Sequence, residues 1–409
     1  MDDPGSRALE YGQRAATTPA DQVTQDRVTR EGVLTFAATN ADEAETPGGG
    51  GGSAATLPPP WPQALDAKLN VVAANHPLQA AVDVVAGTKK YKGIAFAVVD
   101  LTQGGTGLYA GSHDKEQRFI ASTGKLAILF SAFQLRSAMR AAAAVITDKK
   151  IKTDVQLFDA IMRPWRREIA RFFHGTKTSH DSLPSLAQIF SAAPRSGGGW
   201  QVEFADVPRG GAGKSFEDRL RGAVTDSDDP DAGSCIRDLG FPYIHGCMAK
   251  STLWVRGKGL WIALDYAGQW WWPETAKEVG TAQGATAQTL VRMLTLLDSD
   301  ELVPGSRVEM LDLLSGARGG KHFGAVSRIK DGVMGYLPSA EQPTLDVRSK
   351  VGFIDKPNTD CDAALVQHGS GAQAVKYAAA ILNAFDENVA MDAARALDIA
   401  IRASHAPPP

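Results

Sequence analysis

Cysteine is scarce in this sequence: Cys235, Cys247 and Cys361 are the only three among 409 residues. At that number and spacing they form neither a disulfide framework nor a paired metal-ligand set, so one bridge at most is available and zinc is not expected. An excess of charge is missing too, with 43 basic against 46 acidic residues and a net charge of −3. Nothing in that balance asks for nucleic acid or an anionic membrane, and a small-molecule or peptide-like substrate is the default partner. No stretch reaches the roughly 18 unbroken apolar residues of a membrane span. The opening MDDPGSRALEYGQ lacks the basic and apolar regions of a signal peptide. A soluble chain with no membrane span is expected, and the oligomeric state is not legible.

What is present organises the chain. Residues 1–61 are polar and end in Gly48 to Gly52 and the proline cluster Pro58, Pro59, Pro60 and Pro62, which reads as a flexible extension and linker. Five glycines with no Lys-Ser/Thr after them do not make a phosphate loop. From about Pro62 to Ala86, Leu65, Leu69, Val72, Leu78, Ala81 and Val84 fall at helical spacing, with Gly87 as a stop. Ile94–Leu101 and Thr106–Ala110 predict a hairpin. Helical patterns follow, then a polar loop from about Gly175 to Ser215, then further helix. Strand-like runs stand at Leu260–Tyr266, Asp346–Ile354 and Ala363–His368, and a closing helix at about Glu387–Ala403. Helices in the middle with strands at both ends predict an α+β fold whose mainly antiparallel sheet is assembled from both chain ends.

Between the hairpin and the helical middle lies RFIASTGKLAILFSAFQL. Its apolar residues surround nearly the whole helix, which predicts burial and leaves Ser122 and Lys125 to be explained. Three apart on a helix they share a face, and a serine at a helix N-terminus sits where the backbone dipole favours developing negative charge. Desolvation lowers a lysine's pKa and supplies the neutral amine that a hydroxyl nucleophile needs as proton acceptor. Alone, S-x-x-K also fits a helix cap beside a surface lysine. A P-loop is excluded, because Phe119 stands where its first glycine belongs and Leu126 where Ser or Thr should follow the lysine.

Downstream, Ser227-Asp228-Asp229 opens DSDDPDAGSCIRDLGFPYI, a turn leading into a short helix, and Ser349-Lys350-Val351-Gly352 lies in the strand-like LDVRSKVGFID. In this order, S-x-x-K, S-D-x and K-x-G resemble the three motifs of class A β-lactamases and penicillin-binding proteins. The resemblance runs from roughly Pro62 to Ser404 and takes in TAQGATAQTLVRMLTLLDSDELVP. It implies a β-lactamase/transpeptidase-like fold: one domain, 62–405, with a sheet against a mostly helical subdomain and a helical insertion at about 150–215. It also implies a serine hydrolase that forms an acyl-enzyme without metal or organic cofactor, in an exported or periplasmic setting. Carried over by motif, Ser122 attacks, Lys125 accepts its proton, Ser227 relays a proton to the leaving group, and Lys350 keeps the field positive around Ser227 and attracts an anionic substrate group. The N–H groups of Ser122 and Phe353 form the oxyanion hole, and Asp229, Val351, Gly352 and Phe353 line the substrate.

Three departures bear on substrate and turnover. Asp229 replaces an asparagine that could donate to a carbonyl with a group that, ionised, only accepts. Val351 replaces a hydroxyl residue that would help to hold a carboxylate. A deacylating glutamate has no clear counterpart, since WWWPETAK puts Trp272 at its place and Glu274 two residues late. A lactam, amide or ester hydrolase is expected. D,D-carboxypeptidase or transpeptidase action and a non-catalytic binding role are the alternatives. Lys350 is also open to reading as a surface charge, Trp270 to Trp272 as cleft wall or sheet cover, and His245 with Cys247 as packed core residues.

Overall fold

The computed structural model describes residues 57–65, 69–102, 107–173, 180–209, 213–255, 257–263, 265–266, 283–315, 327–355, 358–371 and 374–405. The run Trp270 to Glu274 and nearly all of the N-terminal extension lie outside them. The chain begins with β1 (Asn70–Val71), α1 (Pro77–Gly87), β2 (Ala95–Asp100), β3 (Leu108–Ser112) and β4 (Arg118–Phe119). A 3-10 turn, Ala121–Gly124, then runs directly into α2 (Lys125–Val145). The middle holds α3 (Asp154–Ala170), α4 (Leu186–Ile189), β5 (Phe190–Pro194), β6 (Trp200–Phe204), α5 (Phe216–Val224), α6 (Asp229–Leu239) and α7 (Phe241–Lys250). Short strands β7 (Trp254–Val255), β8 (Lys258–Gly259), β9 (Trp261–Ile262) and β10 (Gln283–Ala285) precede α8 (Ala287–Asp298), α9 (Arg307–Leu313) and α10 (Arg328–Met334). The last elements are β11 (Asp346–Asp355), β12 (Asn358–His368), β13 (Val375–Ala384) and α11 (Glu387–Ser404).

The main sheet has the order β1-β3-β2-β13-β12-β11. Its pairings are antiparallel except for the short parallel contact of β1 with β3. N-terminal strands therefore fill one half and C-terminal strands the other, the α+β arrangement expected. Both faces are covered, and along β2 alternate residues divide between two cores. Ala95, Ala97 and Val99 join the core built around α2 and α8, while Phe96 and Val98 join the one under α1, α10 and α11. Helix α2 is buried on nearly every side, Leu126, Ile128, Leu129, Phe130 and Leu135 being fully inaccessible. Each such side chain contributes about 1.5–3 kcal/mol.

Three local expectations change. The helix predicted from Pro62 begins only at Pro77, because a residue before proline is driven to extended backbone, and His76 (φ −68°, ψ 139°) instead caps the helix through its side chain. Leu65 and Leu69 pack against the α2 core from an irregular segment. Within 150–215, expected as helix followed by polar loop, α3 and α4 are followed by the β5–β6 hairpin. Phe190, Trp200, Val202 and Phe204 are buried there. The hairpin lies back over the end of α2, where Gly199 (φ +73°) comes so near that a β-carbon would meet the Ala144 carbonyl oxygen at 2.8 Å. The run Leu260–Tyr266 is a strand only over Trp261–Ile262.

Candidate active site

Three elements converge. The first is the 3-10 turn that carries Ser122. Its backbone enters through Ala121 at φ +44°, the left-handed region that a residue with a β-carbon adopts at a cost of about 1–2 kcal/mol. Tyr266 Oη donates to the Ala121 carbonyl at 3.2 Å, and Thr123 Oγ1 donates to the Lys350 carbonyl at 3.3 Å. The turn is thus held from both sides. Lys125 is the first residue of α2, so Ser122 lies at that helix's N-terminal end as the spacing implied.

The second element is the approach to α6. Asp228 caps the helix by accepting from Asp231 N at 2.8 Å, with Pro230 in the first turn. This capping fixes Asp229 at the start of the helix and Ser227 immediately before it. Ser227 has φ +59°, a second strained non-glycine backbone in the same site.

The third element is edge strand β11. Lys350 and Gly352 face the Ser122 turn, while Val351 and Phe353 alternate to the other face. There the Phe353 ring lies 5.9 Å from the Arg328 guanidinium, and Val351 stands opposite Asp362 in the neighbouring strand. Gly352 meets the turn so closely that a β-carbon would fall 2.5 Å from Thr123 N, 2.8 Å from Ser122 N and nearer still to the Ile120 carbonyl oxygen. Only glycine fits between strand and turn. Val351 is buried and Phe353 is about two-fifths exposed.

Side chains from these elements form one hydrogen-bonded chain. Lys350 Nζ donates to Ser227 Oγ at 2.8 Å and to the Val351 carbonyl at 2.9 Å. Lys125 Nζ donates to the Ser227 carbonyl at 2.7 Å, to Ser227 Oγ at 3.4 Å and to Asp229 Oδ1 at 2.5 Å. The Tyr266 ring lies 4.7 Å from the same ammonium. Both lysines are buried, so Lys350 is not a surface charge. Burial lowers the Lys125 pKa below the usual 10.5, with the Asp229 carboxylate opposing. Burial lowers Lys350 further, reinforced by the neighbouring charge of Lys125 and opposed by Asp362 and Asp229. Two amines on one hydroxyl, with a single carboxylate touching one of them, make neutral amine accessible.

Ser122 is the residue the chain does not reach. Among the described residues its Oγ has no hydrogen-bond partner, and Lys125 is turned instead toward Ser227 and Asp229. Catalytic hydrogen bonds often tighten only when substrate is present. The structure therefore brings Lys125, Ser227, Lys350 and Asp229 into contact and joins Ser122 to them through the turn and Gly352. Tyr266 went unread in the sequence; it carries no motif and stood at the end of a strand-like run. Asp362, behind Lys350, also went unread. Burial pushes its carboxyl pKa up, although Ile329 N and Ser327 Oγ donate to Oδ2. Its Oδ1 has no partner. His245 and Cys247 are packed in α7, His245 against Trp261 with ring centroids 4.4 Å apart. Burial pushes the Cys247 thiol up to about 12. Among the described residues no cluster of His, Cys, Asp and Glu could hold a metal ion, and no helix is long and apolar enough to cross a membrane.

No family model and no curated protein matches this sequence. Among solved structures the chain is similar to a variant of the extended-spectrum β-lactamase TLA-1, at 14% identity and a TM-score of 0.46, covering 80% of this chain and 96% of that one. It is also similar to the class A β-lactamase from Mycobacterium abscessus, at 16% identity and 0.43, over 78% and 98% of the two chains. A β-lactamase from Sphaerobacter thermophilus matches at 15% and 0.44, over 80% and 96%. At these identities and overlaps, the chemistry of the site rests on this chain's own residues.

Proposed function

We propose that this chain is an acyl-transfer enzyme that forms an ester on Ser122 from an amide, lactam or ester substrate. The observation that carries the reading is the hydrogen-bond chain of buried Lys125, half-buried Ser227 and buried Lys350, packed against the strained turn of Ser122. In the first step the neutral Lys125 amine takes the Ser122 proton as Oγ bonds to the carbonyl carbon. The electron pair displaced onto the carbonyl oxygen is met by the N–H groups of Ser122 and Phe353, each donor contributing about 3 kcal/mol. As the tetrahedral intermediate collapses, the bond to the leaving group breaks and that group takes the Ser227 hydroxyl proton. A lysine ammonium resupplies Ser227 and returns to the neutral state. Water or another acceptor then attacks the Ser122 ester, and the serine recovers its proton.

Hydrolase and transferase differ only in that last step, so the test follows the adduct in time. A chromogenic ester should give a burst of leaving group equal to the enzyme present, absent in Ser122→Ala. A penicillin adduct lost within seconds supports a β-lactamase-like hydrolase, while one lasting hours supports a D,D-carboxypeptidase or transpeptidase. No burst and no adduct from either compound would move a non-catalytic binding role into first place. The unpartnered Ser122 hydroxyl is the observation that favours that second reading.

A further inference from the structure

We infer that Asp229 determines specificity in this cleft, selecting acyl donors that carry a cationic or N–H donor group beside the scissile carbonyl and rejecting anionic ones. The inference rests on the acyl-transfer reading and names the substrate class of the same site. Lys125 has three donor protons when charged, and its contacts with Ser227 O, Ser227 Oγ and Asp229 Oδ1 use all three. In that state it cannot deprotonate Ser122. The Asp229 side chain is 54% exposed while Lys125 is fully buried, so the carboxylate faces the open side of the pair. An ionised carboxylate only accepts, and Asp226 and Asp228 add negative charge on the same turn.

Among the described residues the opposite wall offers an anion no uncommitted cation. Lys350 is buried and committed to Ser227 and the Val351 carbonyl, and the Val351 side chain lies on the other face of the strand. A substrate ammonium or N–H placed on Asp229 takes over the partner that Lys125 now holds. Released from its carboxylate and left between Lys350 and a new cation, Lys125 gives its proton to solvent and turns to Ser122 as a neutral amine. The correct substrate thus completes the base.

Single-turnover acylation by the p-nitrophenyl esters of β-alanine, butanoate and succinate tests this, with Ser122→Ala rates subtracted as background. The expected order is cationic, neutral, anionic, with about tenfold between the ends. The cationic ester's advantage should appear in the maximal acylation rate rather than in half-saturation alone. In Asp229→Asn the order should compress to less than twofold and the butanoate ester should react faster than in the parent at neutral pH. Raising the salt should compress the parent's order as well. Because the order of the three esters is a ratio within one protein, a general loss of activity in the variant does not obscure it. Equal rates for the three esters, or an order that survives Asp229→Asn, would overturn the inference and leave acyl transfer standing. Absence of any Ser122 adduct, from these esters or from a fluorophosphonate, would overturn the underlying reading first.

Discussion

One sheet carries buried charge on both of its faces, and the two clusters follow opposite rules. Under the outer face, fully buried Asp398 of α11 accepts from Tyr336 Oη, Tyr377 Oη and His368 Nε2, the last at 2.9 Å. Three donors converge on one carboxylate inside a closed core. On the face toward α2, Lys125 and Lys350 share the Ser227 hydroxyl, and among the described residues their one contacting carboxylate is half open to solvent and the Ser122 hydroxyl has no partner. A carboxylate met by three donors specifies a packing arrangement; two amines crowded on one hydroxyl, with two strained backbones beside them, suit the proton transfers of the proposed reaction.

Substitutions should separate the clusters, and the largest effect belongs to the amine. Lys125→Ala should slow acylation of Ser122 by about 10²–10⁴-fold while the chain stays folded, measured by stopped-flow burst kinetics beside circular dichroism. In the parent the rate should rise with pH as Lys125 loses its proton, reaching its plateau below 10.5 because burial lowers that pKa. The sign for stability follows from the same shift. The native state holds fewer lysine protons than the unfolded chain, so unfolding free energy should increase with pH between the lowered values of Lys125 and Lys350 and 10.5.

Gly352→Ala should come next. Its β-carbon would push β11 off the Ser122 turn and spoil the paired N–H donors, for a loss of about 10²-fold or more in acylation rate. Asp398→Ala should do the reverse. Leaving Tyr336, Tyr377 and His368 without their acceptor should cost about 3 kcal/mol in urea unfolding, with acylation per folded molecule unchanged. The smallest effect is expected from Val351→Thr. That side chain lies on the outer face opposite Asp362, whose Oδ1 lacks a partner, so a hydroxyl there should add about 1 kcal/mol or less without altering acylation. A large rate change in Val351→Thr would mean that position 351 reaches the substrate after all.

The α+β architecture was legible because its signals are local and strong: the apolar encirclement of α2, the long β11 and the Asp386-capped closing helix. Strand β13 was not. Its alanine-rich YAAAILNA favours helix by propensity, and only burial between β2 and β12 makes it an interior strand of the sheet. In the site, Ser122, Lys125, Ser227 and Lys350 stand out in the sequence because three motifs keep their order. Asp229 was seen as a changed residue, but its grip on Lys125 is a tertiary fact that spacing cannot carry. Val351 was read as a substrate contact from its place in a motif, and strand alternation puts it with Asp362 instead. Tyr266 supports the turn from more than 140 positions away, as the Tyr266–Ala121 hydrogen bond does not follow any sequence periodicity.

The central claim is that Ser122 is a nucleophile activated through Lys125. Intact-protein mass spectrometry after fluorophosphonate treatment tests it most directly, using the parent, Ser122→Ala and Lys125→Ala. The account predicts a single adduct on the parent, none on Ser122→Ala and a much slower one on Lys125→Ala. An unlabelled parent, or an adduct that persists in Ser122→Ala, would contradict it.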